Sequence, residues 1–430
     1  MNSPGEISIL CTGDLHLGRH PSGIATGDHS PTKVWRRIVD AAVERNVDAL
    51  ALTGDIVDRQ NRYFEALGPL EQGIRRLRGA SIATVAVAGN HDYNVLGELA
   101  DALDDTAFTL LGAGGTWESM IVDTDSGPMR CVGWSYPDRH VTDSPLATLD
   151  IDTTDDLPTI GLLHGEVDRP DSSYAPVTSS ELAGSGIQTW LLGHIHRPHT
   201  LDIGAAHTAL YPGSPQPLDP GETGVHGPWI VDLDADGGAG VTQLALASLR
   251  YRNLNVDLDG ATDDSFRQTV STAIRDDLRT IATTFERTER LVYRLEYTGR
   301  TALHRRLRDR SEAMIGDLQL HFEGVTADVD AIRRHTTPDL DLEAIAGDGD
   351  PPAVLARWLL QIQNGEDTDE TRQLRAAIDN RIDDVYRANA YEPLRADEQT
   401  ARRPDGDWTT NQIIAQGLAL LDELLAQSQR

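Results

Sequence analysis

Short apolar runs alternate with longer amphipathic segments through the first 90 residues of this chain. The runs at 7–12, 47–53 and 82–87 are rich in β-branched and aliphatic residues and predict buried strands. The segments between them, 34–43 and 63–77, place apolar residues at helical spacing and predict helices. This strand–helix–strand–helix–strand order predicts an α/β fold around a mostly parallel sheet with right-handed crossovers.

Later strand patterns indicate a second sheet packed against the first between flanking helices. Runs at 159–163 and 189–192 predict two further strands. Runs at 229–233, 241–247 and 251–258 predict a set of strands that leans toward antiparallel pairing. The expected fold class is therefore α/β with two packed sheets.

Composition changes after Asp259 and again near a Gly/Asp/Pro run at 347–352, which predicts a linker. These changes predict three parts: a domain at 1–259, a small α/β domain at 260–346, and a helical region at 347–430. Three helical patterns fall in the last part, at 352–363, 367–389 and 408–428. A strand is also predicted at 325–334 and a short helix at 301–307.

Polar clusters follow five of the predicted strands. Their candidate ligand residues are Asp14, His16, Asp55, Asn90, His91, His164, His194 and His196. Ligands of open α/β sheets gather outside the carboxyl ends of strands. A single histidine at such a place is more often structural, but this repetition predicts a site for a metal or a phosphate. Carboxylate, carboxamide and imidazole groups without thiolate suit Mn²⁺, Mg²⁺, Fe or Zn²⁺ and do not choose among them.

Acidic residues outnumber basic ones by 68 to 38, for a formal charge of −30, and Lys33 is the only lysine. This balance indicates a solvated acidic surface, as in proteins adapted to high salt, and argues against general attraction to nucleic acid. A local exception is 265–310, with 11 arginines against six acidic residues. These arginines either contact backbone phosphates or pair with neighbouring acids, and the sequence leaves both open.

The two cysteines, Cys11 and Cys131, lie in apolar runs and indicate buried free thiols. No run approaches the ~20 apolar residues of a membrane span, and no basic region precedes an apolar segment at the N-terminus. A soluble cytoplasmic protein is the expectation.

The ordered motifs resemble those of the calcineurin-like metallophosphoesterases. They are Asp14-x-His16, Gly54-Asp55-x-x-Asp58, Gly89-Asn90-His91-Asp92, His164 and Gly193-His194-x-His196. Within that superfamily, Tyr211-Pro212-Gly213-Ser214-Pro215, Gly221-Glu222 and the run 295–301 resemble SbcD-like DNA repair exonucleases. Asp58 is a departure, because some relatives carry a histidine there and its role does not transfer.

The resemblance implies a metallophosphoesterase core, a capping domain and two divalent metal ions. Mn²⁺ is the first expectation, with Mg²⁺, Fe or Zn²⁺ as alternatives. One metal would be held by Asp14, His16, Asp55 and His196, and the other by Asp55, Asn90, His164 and His194. Hydroxide would then attack phosphorus in line. His91 would stabilise the transition state or protonate the leaving group, and Asp92 would orient His91 or cap the following helix.

Three functional hypotheses remain. The first, which the resemblance favours, is a metal-dependent DNA exonuclease in DNA repair, with endonuclease action as an extension. The second is a phosphodiesterase or phosphatase acting on small nucleotides, which leaves 260–430 without a role. The third is a non-catalytic binding subunit, which the complete set of ligand residues disfavours.

Partners follow from the same resemblance. Lys33 lacks the glycine-rich lead-in and the following Ser or Thr of a Walker A loop. SbcD-like proteins work with an SbcC-like ATPase of the SMC type, so we expect such a partner besides DNA, and a homodimer. The helices at 367–389 and 408–428 would contact the ATPase, unless they pack on this chain instead.

Overall fold

A computed structural model describes residues 6–24, 27–58, 63–103, 108–151, 157–315, 317–347, 349–388 and 406–428. The chain forms two compact units. The first runs to Asn253 and includes Leu278–Arg294 and Leu318–Asp330; the second contains Leu254–Asp277, Leu295–Asp317 and the chain from Ala331 onward. The predicted division at 259 and 346 stays a prediction.

The first sheet of the first unit has six strands. In spatial order they are β12 (Ala239–Gln243), β11 (Trp229–Leu233), β1 (Ile7–Thr12), β2 (Ala49–Leu52), β3 (Ala83–Ala86) and β4 (Thr109–Leu110). Strands β1 to β4 are parallel, as predicted, whereas β11 is antiparallel to β1 and β12 to β11. Both faces of the sheet are covered, since Ile9 and Leu10 enter different apolar clusters.

Three helices belong to the crossovers of this sheet: α1 (Pro31–Arg45), α2 (Tyr63–Gly79) and α3 (Leu96–Ala102). Helix α1 begins three residues before the predicted start, because Ser30 caps it through a hydrogen bond from the Lys33 backbone N–H and Pro31 occupies its first position. Its buried face includes Trp35 and Ile38, which pack in the cluster that also contains Leu10 and Leu70.

The second sheet also has six strands. In spatial order they are β5 (Trp117–Thr124), β6 (Gly127–Trp134), β7 (Thr159–His164), β8 (Thr189–Gly193), β10 (Thr208–Tyr211) and β9 (His199–Leu201). Its four inner strands are parallel. Helix α4 (Ser179–Gly184) precedes β8.

The two packed sheets confirm the predicted α/β class, but the predicted membership of the second sheet was wrong. Strands β11 and β12 pair on the β1 side of the first sheet instead of forming a separate antiparallel set. Residues of both sheets share one apolar cluster, which contains Ile9, Cys11 and Leu162. Cys11 and Cys131 are buried free thiols, as predicted.

A further sheet has four strands. Its order is β13 (Leu249–Asp257), β14 (Arg290–Thr298), β17 (Val325–Arg334) and β16 (Gln319–Phe322). The prediction of a strand at 325–334 is confirmed.

The remaining elements are short strands and helices. They are α5 (Phe266–Ile281), β15 (Arg300–Thr301), α6 (Leu307–Met314), β18 (Thr337–Pro338), α7 (Leu342–Ala346), α8 (Pro351–Gln363), α9 (Asp369–Arg387) and α10 (Gly406–Ser428). The helix predicted at 301–307 was wrong, because a 3₁₀ turn at His304–Arg306 leads into α6 instead. The three C-terminal helices are confirmed within two residues at each described end, and residue 389 lies outside the described residues.

An apolar cluster joins α7, α8 and α10 in the second unit through Leu342, Leu359, Leu418 and Leu421. Among the helices described, none combines the length and apolar character that crossing a membrane requires.

Candidate metal centre

The polar residues that follow five strands meet at one edge of the two-sheet core. Asp14 and His16 follow β1, Asp55 follows β2, and Asn90 and His91 follow β3; His164 ends β7, and His194 and His196 follow β8. Backbone hydrogen bonds fasten the first two loops together. The N–H of Asp14 donates to the Gly54 carbonyl at 2.9 Å, and the N–H of His16 donates to the Asp55 carbonyl at 3.0 Å.

Left-handed backbone conformations aim several of these side chains. The φ angles are 47° at Asp14, 45° at His16, 51° at Asp55 and 94° at His194. Each such conformation costs a non-glycine residue on the order of 1–3 kcal/mol and persists where the surrounding fold enforces it. Gly54 is needed for a related reason, because its φ is +94° and a Cβ there would lie 2.6 Å from Nδ1 of His164.

One group of candidate ligands comprises Asp14, His16 and His196, whose ligand atoms lie within 4.8 Å of one another. The Nε2 atoms of the two histidines face each other at 3.1 Å. Nε2 of His196 lies 3.9 Å from an Asp14 carboxylate oxygen. Two unprotonated nitrogens at this separation repel, so the arrangement favours a shared cation or a proton.

A second group comprises Asp14, Asp55 and His164, again with ligand atoms within 4.8 Å. Nε2 of His164 lies 3.4 Å from Asp55 Oδ2 and 3.3 Å from Asn90 Oδ1. Nδ1 of His164 lies 2.9 Å from the Thr53 carbonyl. Because a carbonyl only accepts, Nδ1 carries the proton in the neutral ring and Nε2 is left as the ligand atom.

The Asp55 carboxylate lies between the two groups. Its Oδ2 is 3.4 Å from Nε2 of His164 and 3.8 Å from Nε2 of His16. Its Oδ1 accepts a hydrogen bond from the His91 backbone N–H at 2.8 Å. This is the position that a carboxylate bridging two cations would need.

His194 is oriented differently from the other predicted ligands. Its Nε2 lies 3.3 Å from Glu166 Oε1, and its ring stacks on Tyr174 with centroids 4.6 Å apart. Its backbone N–H donates to the Asp14 carboxylate at 3.1 Å. Its ring nitrogens belong to none of the candidate groups among the described residues, so its ligand role stays a prediction. Glu166 lies just after β7 but was given no role from the sequence, and Tyr174 was missed because it belongs to no strand-end motif.

His91 lies beside the cluster and is half-buried. Its ring packs edge-on against His16 with centroids 4.8 Å apart, and its Nδ1 lies 3.7 Å from Asp58 Oδ2. Asp58 Oδ2 also lies 3.2 Å from Nδ1 of His16. One of the His91 nitrogens is within 4.8 Å of ligand atoms of His16 and Asp55, so this ring can reach a substrate held there.

The structure corrects both expectations for Asp92. Its carboxylate accepts hydrogen bonds from the backbone N–H groups of Gly89 at 2.8 Å, Ile56 at 2.5 Å and Val57 at 3.2 Å. It neither caps α3, whose N-cap is Val95, nor bonds to the His91 ring. Asp92 instead ties the loop after β2 to the loop after β3. Burial and the neighbouring Asp55 raise the pKa of Asp92 to about 7.

The carboxylates of the cluster are buried and face histidines. Asp14 and Asp55 are only 1% and 2% exposed, and the ion-pair partners described for them are histidines. Burial opposes the charged form of His164, but Asp55 outweighs it and raises the pKa of His164 to about 9. Burial and the neighbouring His164 lower the pKa of His194 to about 3. Two buried carboxylates require positive charge nearby, which bound cations would supply.

Comparison with known proteins agrees with this arrangement. A family model described as calcineurin-like phosphoesterase matches residues 7–198. Residues 7–198 are therefore similar to the calcineurin-like phosphoesterases. A second family model, the middle domain of metallophosphoesterase YhaO, matches residues 251–337. The narrower SbcD-like assignment stays a prediction.

Curated relatives of this chain include two proteins matched over similar lengths. An uncharacterised metallophosphoesterase, YhaO of Bacillus subtilis, is 30% identical over 243 residues, which is 53% of this chain and 58% of YhaO. The DNA double-strand break repair protein Mre11 of Aeropyrum pernix is 26% identical over 240 residues, with the same two shares. The chain thus spans somewhat more than half the length of these relatives.

Solved structures similar to the metallophosphoesterase domain are more distant. TT1561 of Thermus thermophilus has a TM-score of 0.33 at 15% identity and covers 55% of this chain and 99% of its own. A dimetal phosphatase from Danio rerio has a TM-score of 0.36 at 12% identity and covers 56% and 99%. At these scores we draw nothing from the likeness, and the fold assignment rests on the strands and helices themselves.

The residues present fit the divalent metals that this superfamily uses. The buried carboxylates have no Arg or Lys partners among the described residues, and two imidazole Nε2 atoms are turned toward each other. Together they form a donor set of hard and borderline ligands. The fit does not choose the metal.

Proposed function

We propose that this chain is a two-metal phosphodiesterase that cleaves DNA from its ends. The observation that carries the proposal is the position of the Asp55 carboxylate between His16 and His164, with His91 beside them. Asp14, His16, Asp55 and His196 would hold one metal, and Asp55, Asn90, His164 and His194 the other. Bound metals would supply Lewis acidity toward the phosphoryl group and a nucleophilic hydroxide at neutral pH.

The protein contributes orientation and proton transfer. The Asp55 carboxylate is held by the His91 backbone N–H, so the loop that carries His91 is fastened to the proposed bridging group. Nδ1 of His91 is buried on the side of Asp58. We therefore assign Nε2 of His91 to the leaving oxygen or a phosphoryl oxygen, where a hydrogen bond stabilises developing charge.

Support for DNA as the substrate comes from the relatives rather than from surface charge. One relative bears the name of a DNA double-strand break repair protein. The arginine-rich block 265–310 adds little, because seven of its 11 arginines lie in ion pairs with acids. They are Arg290, Arg294, Arg300, Arg305, Arg306, Arg308 and Arg310. Ion pairing with acidic side chains, which was one of the two explanations left open by the sequence, therefore accounts for these seven arginines.

The test compares two substrates with one preparation of protein. Metal-stripped protein is supplied with Mn²⁺, Mg²⁺ or Zn²⁺ and assayed on a DNA duplex labelled at one end and on bis(p-nitrophenyl) phosphate. We expect progressive shortening of the duplex that stops on chelation, and its loss in His91→Ala but not in Glu118→Gln, a control outside the proposed ligand set.

Other outcomes would replace the proposal. Hydrolysis of the small diester with intact duplex would favour the small-nucleotide alternative. Metal-dependent binding of DNA without cleavage of either substrate would indicate a binding subunit.

We also propose an SbcC-like ATPase as a partner. We now expect it to contact α9 alone and not both α9 and α10. The apolar stripe of α10 (Ile414, Leu418, Leu421 and Leu425) packs in the chain's own apolar cluster. The stripe of α9 remains partly accessible, with Leu374, Ile378 and Ile382 half-buried and Val385 exposed. Substituting Ile378 and Ile382 by Asp should abolish co-purification with such an ATPase, and unchanged co-purification would reject α9 as the contact. The homodimer stays a prediction, which sedimentation of the purified chain would test.

A further inference from the structure

The loop that follows β10 carries motif residues that the proposed ligand set does not use. Pro212-Gly213-Ser214-Pro215 comes directly after β10, and Glu222 lies seven residues beyond Pro215. Ser214 is fully buried, and the Glu222 side chain is 11% exposed. A buried hydroxyl and a buried carboxylate require partners, and these partners reveal what the loop does.

Glu222 contacts His196 with one oxygen and its own loop with the other. Oε1 lies 2.8 Å from Nδ1 of His196. Oε2 accepts hydrogen bonds from the Ser214 hydroxyl at 2.7 Å and from the Leu218 backbone N–H at 2.9 Å. Three donors therefore fix the orientation of one carboxylate.

The backbone of the loop is fitted to His196 as closely as the carboxylate is. The Ser214 N–H donates to the His196 carbonyl at 3.0 Å. Gly213 has φ +72°, and a Cβ there would lie 2.5 Å from the His196 carbonyl oxygen. The Ser214 carbonyl accepts a hydrogen bond from Nδ1 of the buried His226 at 2.7 Å. The loop thus holds both the main chain and the ring of His196.

The contact decides which nitrogen His196 presents. A carboxylate accepts only, so Nδ1 of His196 donates and Nε2 is left with its lone pair, 3.1 Å from Nε2 of His16. Partners of this kind orient the ring and raise the basicity of the ligating nitrogen. His164 has only the neutral Thr53 carbonyl in the same position. His196 and His164 therefore differ in the group behind the ring, which is a carboxylate for His196 and a neutral carbonyl for His164.

We propose that Glu222, held by Ser214 and Leu218, is the positioning residue for His196 and strengthens the cation site of Asp14, His16 and His196 selectively. The inference rests on the proposed metal-dependent function. It gives the motif from Pro212 to Glu222 a role in metal affinity, distinct from that of the ligands and of His91.

The experiment measures cation binding directly. Metal-stripped wild type, Glu222→Ala, Glu222→Gln and Ser214→Ala are titrated with Mn²⁺ in a calorimeter, and thermal unfolding of each metal-free protein is recorded. Glu118→Gln is the matched control, because Glu118 also accepts a backbone hydrogen bond, from Gly112 at 2.9 Å, but is outside the proposed ligand set.

We expect two binding events in the wild type and in the control. In Glu222→Ala one event should weaken by about 10- to 100-fold while the other keeps its affinity. Glu222→Gln should weaken the same event less, because its amide oxygen can still accept a hydrogen bond from Nδ1 of His196. Some weakening should remain, because its NH₂ group faces the Leu218 N–H and cannot accept from it. Ser214→Ala, which retains the carboxylate, should have the smallest effect and serves as the test if Glu222→Ala does not fold.

Two results would overturn the inference. One is unchanged affinity at both sites in Glu222→Ala and Ser214→Ala. The other is equal weakening of both events together with a lower unfolding temperature, which a general structural role would produce. A wild type that binds no Mn²⁺ would instead reject the proposed function itself, so the two failures are distinguishable.

Discussion

Asp55 in the metal centre and Asp263 in the second unit are both carboxylates, yet they are surrounded in opposite ways. The Asp55 side chain is 3% exposed and faces two imidazoles. The Asp263 side chain is 31% exposed and pairs with the guanidinium groups of Arg306 and Arg310. Asp263 is compensated locally by permanent cations in contact with water, whereas Asp55 depends on groups that can give up a proton.

The two regions differ in how much their charge arrangement costs the folded state in free energy. Buried carboxylates facing each other across histidines are unfavourable without added positive charge, and the left-handed backbones at Asp14 and Asp55 add to that cost. Exposed pairs such as Arg306 with Asp263 contribute little in either direction. Substitutions in the first region should therefore change binding and chemistry, and those in the second should change almost nothing.

The largest expected effect is that of Asp55→Asn. Loss of the proposed bridging charge should abolish binding of at least one Mn²⁺ and reduce hydrolysis of bis(p-nitrophenyl) phosphate beyond the ~10- to 100-fold typical of an outer-shell partner. Calorimetry and a rate assay measure both. A protein that still binds two cations would contradict the comparison.

His91→Ala should separate chemistry from binding in the same region. The rate should fall by about 10²–10⁴-fold, the range for a lost general acid or base. Mn²⁺ stoichiometry should stay that of the wild type, since His91 is expected to contact substrate and not to hold a cation. Loss of a cation in this variant would instead make His91 a ligand.

Leu421→Ala tests whether apolar packing, and not charge, holds the C-terminal helices. Leu421 is fully buried in the cluster with Leu359, whereas its neighbour Leu420 is 50% exposed. Leu421→Ala should lower the free energy of unfolding by about 2–5 kcal/mol. The control Leu420→Ala should change it by about 0.5 kcal/mol or less. Urea unfolding compares the two, and equal effects would refute the packing described for α10.

Arg306→Ala should have a much smaller effect on the same quantity. Removing one of two guanidinium partners of a partly exposed Asp263 should alter the free energy of unfolding by about 0–1 kcal/mol, and less in 1 M salt. A loss of several kcal/mol would mean that the surface charges of the second unit are not interchangeable.

Glu289 extends the comparison to a surface charge of the first unit. Burial raises its pKa, but Lys33 and Arg37 together outweigh this and hold the pKa of Glu289 below its ordinary value. A lowered folded-state pKa stabilises the protein above pH 4.5, and that stabilisation is lost as the pH falls below it. Because the side chain is 44% exposed, Glu289→Gln should cost at most about 1 kcal/mol at pH 7. The difference from wild type should shrink in urea unfolding at pH 4, and a constant difference would exclude the ion pairs as its cause.

Much of the fold followed from local pattern. The strands at 7–12 and 325–334 match their predicted bounds, because alternation and β-branched composition act within a few residues. Helix α1 was placed correctly but begins earlier, since the Ser30–Pro31 start was overlooked. The short helix predicted at 301–307 was wrong because seven residues carry too little periodicity to separate a 3₁₀ turn from an α-helix.

The candidate site likewise contains residues that the local sequence indicated and residues that it did not. Residue types after strands were visible in sequence, and the structure brings Asp14, His16, Asp55, Asn90, His91, His164 and His196 together. Glu222 was quoted only as part of a family motif, since nothing local shows that it reaches a histidine 26 residues earlier. Asp92 was misinterpreted because two of its partners are backbone N–H groups of the loop after β2.

By itself the sequence determined the order of strands and helices, the polar groups that follow five of the strands, and the lack of lysine outside position 33. Those features depend on neighbours in the chain. The tertiary structure alone decided that β11 pairs with β1, that His16 and His196 face each other across 180 residues, and that a glutamate stands behind one of them. Such contacts join segments far apart in the chain, and their distances depend on how whole sheets pack, which no local pattern of residues specifies.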